Sequence, residues 1–159
     1  RGTDEEKLNP EFVLNQEEYS QASILLTGRN MGCGSSREFA VWSLVDFGIR
    51  AIIAPSFGSI FFTNCIRNGL LPIVLDEQAI ASLADYVILN PQANQLDIDL
   101  KTCHVTGPEG VTYPFELQSG FQVMLLEGLD AIDVTDKLSK EIDAFKTTDI
   151  QKRPWAYLN

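Results

Sequence analysis

Arg50-Ala-Ile-Ile-Ala-Pro-Ser-Phe-Gly-Ser-Ile-Phe-Phe-Thr-Asn-Cys-Ile-Arg-Asn-Gly-Leu-Leu-Pro-Ile-Val-Leu75 contains two buried strands separated by one helix. Arg50 to Ala54 reads as a strand closed by Pro55, and its residues from Ala51 on are an unbroken apolar run. A strand with one wet face would alternate apolar and polar residues, so this run suits a strand covered on both faces. Phe57, Ile60, Phe61 and Cys65 then recur at the spacing of one helix face, and Gly69 is placed to end that helix. Leu71 to Leu75 repeats the buried-strand pattern. Two such strands with a helix between them run parallel, because a parallel pair needs a long crossover.

The alternation extends in both directions. Upstream, Ala22 to Leu26 reads as a further buried strand, Gly28 to Gly34 as a glycine-bearing loop, and Ser36 to Phe47 as a helix. Phe39, Ala40, Leu44 and Phe47 mark its apolar face, and Gly48 fits the position just past its end. Trp42 and Phe47 are expected in the core. Downstream, Asp76 is placed to cap a helix carrying Ile80, Leu83, Ala84 and Val87, which Asn90-Pro91 stops. From there the pattern changes. Leu96, Ile98 and Leu100 alternate with polar residues, as in a half-exposed strand. Val105 and then Val111, Tyr113 and Phe115 continue as strands around the turn Gly107-Pro-Glu-Gly110. Two helices follow, around Phe121, Met124 and Leu125 and around Leu138, Ile142 and Phe145. The expectation is a polar lead-in over 1–20, one α/β domain over 21–146 with a β-hairpin layer added, and a tail over 147–159.

With 159 residues and 45% apolar composition, one ordinary core is expected and two are not. No apolar run approaches the ~18 residues of a membrane span. A basic start followed by an apolar stretch and a small-residue cleavage site is lacking, so no secretory signal is expected. Cys33, Cys65 and Cys103 are odd in number and widely spaced, which argues against a disulfide framework or a self-contained metal site. A reducing cytoplasm is the expected compartment. The net charge of −10 disfavours nucleic acid and anionic membranes as partners. An anionic substrate would need a local cationic site against that field.

Met31-Gly-Cys-Gly-Ser-Ser-Arg-Glu38 meets that need. It stands between a buried strand and a helix, the junction at which α/β sheets bind ligands. Gly32 and Gly34 allow a tight turn and close approach of backbone to ligand, with Cys33 in the wall between them. The first turn of the helix would present unpaired N–H groups and the positive end of its dipole. Ser36 adds a hydroxyl, and Arg37 a fork able to hold a carboxylate through two parallel hydrogen bonds. Ser35-Ser-Arg-Glu38 also matches a capping box, in which Ser35 and Glu38 cap the helix reciprocally. The sequence leaves Ser35 open to either role. The loop is not a P-loop, nor a dinucleotide fingerprint. Arg29, Arg50 and Arg67 could each reach toward the same end of the sheet, with a solvated position the default for any one of them, and His104, the single histidine, reads as a solvated residue beside a turn.

Gly32-Cys-Gly-Ser-Ser-Arg-Glu38, Arg50-Ala-Ile-Ile-Ala-Pro-Ser-Phe57, Ile60-Phe-Phe-Thr-Asn64 and Asn68-Gly-Leu-Leu-Pro-Ile-Val74, in that order, resemble the small-subunit family of 3-isopropylmalate dehydratase. The resemblance runs from about Phe12 to Phe145, and Gly128-Leu-Asp-Ala-Ile132 matches the family's C-terminal helix connection. It implies the three-layer β/β/α swivelling domain of the aconitase superfamily. It implies Ser35 as the catalytic base, Ser36 and Arg37 as carboxylate ligands, and Gly32, Cys33 and Gly34 as the loop backbone around a small dicarboxylate. No metal is expected on this chain; a [4Fe–4S] cluster is expected on a partner large subunit. A sister hydro-lyase with a different side-chain pocket, or a non-catalytic anion-binding module, is the alternative. Two departures stand out. Phe39 replaces the histidine that usually follows the Ser-Ser-Arg-Glu stretch. The family's N-terminal strands, and the loop that reads the substrate side chain, precede the segment matching Pro10.

Overall fold

The computed structural model describes residues 9–34 and 37–157. Strands β1 (Ile24–Leu26), β2 (Ala51–Ala54) and β3 (Leu71–Val74) form a parallel sheet in the order β1-β2-β3. Helices α1 (Phe39–Phe47) and α2 (Ser59–Arg67) make the two crossovers. A right-handed crossover between adjacent strands puts its helix on a fixed side, so both helices are expected on one face of the sheet. The packing agrees. Ile52 clusters with Val41 of α1 and with Phe61 and Cys65 of α2, and Leu25 packs against the same group.

The opposite face carries a second layer. Strands β4 (Asp97–Asp99), β5 (His104–Thr106) and β6 (Thr112–Pro114) form an antiparallel meander. Val105 is opposite Ile98 on one side and Tyr113 on the other, so the three form a row across the sheet. Val105 is fully buried and joins Phe115, Ala51, Ile53, Leu71 and Ile73 in the larger core. Helix α3 (Glu77–Leu89) closes this core with Ala79, Ile80 and Leu83. Ile52 and Ile53 are neighbours in sequence and both wholly buried, as the unbroken apolar run requires of a strand with two covered faces. The result is the β/β/α layering expected of the swivelling domain.

Element ends follow local chemistry. Asp76 caps α3 by accepting from the Ala79 N–H at 2.8 Å. Gly48 ends α1 at φ 118°, a left-handed conformation that a side chain would disfavour. Helix α4 (Ser119–Glu127) packs on α2 through a run of rings, Phe57–Phe62 at 5.7 Å and Phe62–Phe121 at 6.4 Å.

Four features differ from the sequence expectation. Helix α1 starts at Phe39 rather than Ser36, because its opening turn closes on the Glu38 carbonyl, which accepts from Val41 and Trp42. Trp42 is not a core residue: it is half exposed, with its indole N–H donated to Asn68 Oδ1 at 2.8 Å. An unanticipated helix, α5 (Ala131–Asp136), is nucleated by a reciprocal cap. Asp130 accepts from the Ile132 and Asp133 N–H groups, and Asp133 accepts from the Asp130 N–H. Helix α6 (Ser139–Lys152) runs into the segment read as a tail. Its end is fastened by the Asp149 carboxylate, which takes two bonds from Arg153 and one from the Tyr157 hydroxyl. Of the lead-in, residues 9–20 form two short 3-10 turns, Val13–Asn15 and Glu17–Tyr19; 1–8 lie outside the described residues.

Candidate functional site

The loop after β1 is tied to the loop after β2 before it reaches the serines. Pairing of β1 with β2 lapses beyond Thr27, whose N–H donates to the Ile53 carbonyl, and resumes at a parallel bridge between Met31 and Phe57. There the Met31 N–H donates to the Ser56 carbonyl at 3.0 Å, and the Gly58 N–H donates to the Met31 carbonyl at 2.8 Å. Asn30, at φ 61°, turns the chain into this bridge. Its N–H donates to Ser56 Oγ at 2.8 Å, and that hydroxyl donates to Asn30 Oδ1 at 3.3 Å.

Gly32 is demanded twice over. Its φ is +78°, and a Cβ there would lie 2.0 Å from Cγ of Phe61 and 2.4 Å from its Cβ. Phe61 is buried in the α-layer core and cannot give way cheaply. Cys33 is exposed and its backbone lies against Gly58, at the start of α2. Gly34 is unconstrained by packing, with nothing within 4 Å of the position its Cβ would take. Ser35 and Ser36 lie outside the described residues. Arg37 is exposed immediately before α1.

Ser35, which the sequence leaves open to capping α1 with Glu38, lies outside the described residues. Glu38 occupies the N-cap position in an αR conformation and makes no side-chain cap bond. One of its carboxylate oxygens instead accepts from Asn68 Nδ2 at 2.8 Å. Asn68 therefore holds Glu38 and Trp42 together, and the first turn of α1 sits at the C-terminal end of α2. Cys33, by contrast, touches the N-terminal end of α2. Cys33 thus lies by the start of α2, while Glu38 and Trp42 are bonded to Asn68 just past its end.

The arginines divide. Arg50 donates from Nη1 to the carbonyls of Val45 at 2.9 Å and Ile49 at 3.0 Å, so it caps the end of α1. It precedes β2, and Arg67 precedes β3, which places both at the end of the sheet away from the Met31–Phe57 bridge. Neither is placed at the glycine turn. Arg29 does lie on the loop and donates from Nε to Glu77, the first residue of α3. That bond holds the Glu77 carboxyl below its ordinary range and raises the Arg29 guanidinium. Both partners are exposed, so solvent and salt screen the pair and it adds little to stability.

The cysteines do not converge. Cys65 is wholly buried on α2, and burial pushes its thiol up to about 12. Cys103 lies in the turn immediately before β5, in the antiparallel layer. Among the described residues, no group of three or more His, Cys, Asp or Glu could hold a metal ion. His104 is half-buried in β5, with Nδ1 2.7 Å from the Thr102 carbonyl and well away from the loop. No helix among the described residues is long and apolar enough to cross a membrane.

Comparison with known proteins supplies the family. Residues 1–78 match the family described as the aconitase C-terminal domain. The chain is 53% identical over 158 residues to the 3-isopropylmalate dehydratase small subunit of Cupriavidus necator, covering 99% of this chain and 76% of that one. The chain belongs to the 3-isopropylmalate dehydratase small-subunit family. Its relative from Leptospira interrogans is 48% identical over 151 residues, covering 95% of this chain and 73% of its own. A crystal structure titled 3-isopropylmalate dehydratase, from Methanocaldococcus jannaschii, superposes with a TM-score of 0.54 at 29% identity, covering 77% of this chain and 68% of that chain. These similarities extend across the parallel sheet and the glycine loop.

Reading the sequence missed Asn30, Ser56, Glu77 and Asn68. Only Asn30 carried a local signal: asparagine tolerates the left-handed turn, and here it stands between a strand and a glycine loop. The others matter through contacts with residues distant in sequence.

Proposed function

We propose that this chain is the small subunit of a two-subunit hydro-lyase that interconverts 2-isopropylmalate and 3-isopropylmalate by dehydration and rehydration, in leucine biosynthesis. The observation that carries this is the family relationship over 99% of the chain, which takes in the whole Gly32–Glu38 loop. Ser35 takes the proton from the carbon beside a substrate carboxylate, the base required to eliminate water. Ser36 and Arg37 hold the carboxylate, with Arg37 supplying the local positive charge that a chain of net charge −10 otherwise lacks. The backbone of Gly32, Cys33 and Gly34 forms the turn that admits the substrate.

The donor set of this chain does not suit a cluster, with one cysteine in the core, one on the loop and one in the far layer. The family relationship makes a large subunit carrying a [4Fe–4S] cluster the proposed partner, and that cluster would supply Lewis-acid assistance to the departing hydroxide. Base and leaving-group assistance then belong to different chains, which accounts for the need for two. Work proceeds in the cytoplasm.

Purified alone, the chain is expected to be colourless and without turnover. Co-expressed with its large subunit, it should co-purify as a complex containing iron and interconverting the two isopropylmalates. Visible iron–sulfur absorbance from the isolated chain would refute the two-subunit assignment. A complex that turns over only a different hydroxy-diacid would point to a sister hydro-lyase.

Arg37→Lys tests how the carboxylate is held. Both side chains are cationic, so long-range attraction is unchanged, but lysine lacks the planar two-bond fork. Substrate KM is expected to rise, with turnover falling, while the thermal midpoint and subunit assembly are preserved. Unchanged steady-state kinetics in an intact complex would remove Arg37 from the site.

A further inference from the structure

Between the pairs Leu26↔Ile53 and Met31↔Phe57 the β1 side of the ladder takes five steps and the β2 side four. The β1 side therefore carries one residue too many, the defining feature of a bulge. Asn30 is the residue with left-handed backbone inside this interval, and its N–H, Oδ1 and carbonyl are all hydrogen-bonded. Its N–H and Oδ1 both bond the Ser56 hydroxyl, and its carbonyl accepts from the Cys33 N–H at 3.1 Å. Ser56 in turn uses its carbonyl to receive Met31.

We infer that Asn30 and Ser56 are positioning residues for the reaction: together they lock the bulge that aims the Gly32–Arg37 loop. This rests on the function proposed above. A bulge adds local twist and redirects the chain beyond it, and here the chain beyond it carries Ser35, Ser36 and Arg37. Neither Asn30 nor Ser56 touches substrate; they act through the three-residue span Met31–Cys33, anchored at the bridge to Phe57 and against Gly58. Among the described residues, the Ser56 hydroxyl is the one group that fixes both the main chain and the side chain of Asn30. The nearby Arg29–Glu77 pair is solvent-exposed at both ends and less suited to holding a geometry. A base and a carboxylate ligand displaced by an ångström lose rate steeply, even when the change is made at a distance.

The test uses the full-length chain co-expressed with its large subunit. Ser56→Ala should lower kcat about 10–10²-fold, the scale expected for misplaced catalytic groups, with a smaller change in KM. Ser56→Thr, which keeps a hydroxyl at the same carbon, should restore most of the rate. Asn30→Gly keeps the left-handed backbone but lacks Oδ1, and should fall between wild type and Ser56→Ala. A Ser56→Ala complex with wild-type kcat overturns the inference. So does a rate loss that Ser56→Thr fails to restore, or one matched by loss of subunit assembly. A wild-type complex that assembles but leaves isopropylmalate untouched removes the functional reading, and the inference falls with it.

Discussion

Ser35→Ala should remove about 10²–10⁴ of the turnover of the reconstituted complex, the contribution typical of a positioned general base. The competing role for this residue was a helix cap, which would cost roughly 1 kcal/mol of stability and leave turnover largely intact. Among the described residues, Glu38 is the N-cap of α1 and one of its carboxylate oxygens accepts from Asn68. Steady-state rates and a thermal melt on the same preparation separate the two roles. A large fall in kcat with an unchanged melting temperature is the expected pair of results. Normal turnover by Ser35→Ala with its partner would end the assignment of Ser35 as base, whatever the melt shows.

Gly32→Ala should be the most damaging single-methyl change in the loop. Left-handed backbone costs a residue with a Cβ about 1–2 kcal/mol. Forcing a methyl into a packed core adds about 1–3 kcal/mol, because neighbours must leave their rotamers. Here the obstacle is Phe61, whose ring carbon would lie 2.0 Å away and which is itself buried against Val41, Ile52 and Cys65. A loss of roughly 3 kcal/mol in denaturant unfolding is expected. The loop should be displaced as well, so turnover should fall with stability. Gly34→Ala is the internal control: no atom lies within 4 Å of the position its Cβ would take, so its stability should stay near wild type. Equal behaviour of the two variants would mean that Gly32 does not lie against Phe61.

The strands and the first crossovers were legible because their signals are local. An apolar run such as Ala51–Ala54 must be buried on both faces, and Asp76 before an apolar periodicity must cap something. The alternating Leu96, Ile98 and Leu100 similarly announced a sheet with one wet side. Helix α5 escaped because its cap is built from Asp130 and Asp133, neither of which stands beside a strong apolar repeat. Trp42 was misplaced because large aromatic residues are usually buried, yet its N–H found Asn68, a residue near it only in the folded chain.

The candidate site divides along the same line. Sequence by itself determined that a glycine turn, two serines and an arginine follow a buried strand, since residue type and order require no folding to be read. It also determined the family, through motifs spread from Phe12 to Phe145. Tertiary structure alone decided which glycine is indispensable, because Gly32 meets Phe61 while Gly34 meets nothing. It alone excluded Arg50 and Arg67 from the glycine turn, since a parallel sheet sends the starts of its strands to the end opposite that turn. And it alone revealed the Asn30–Ser56 clamp, because a surplus residue between two strands becomes visible only when the strands are paired. Backbone conformation and residue type are written locally; register, close contact and the end of the sheet at which a side chain lies depend on distant parts of the chain having come together.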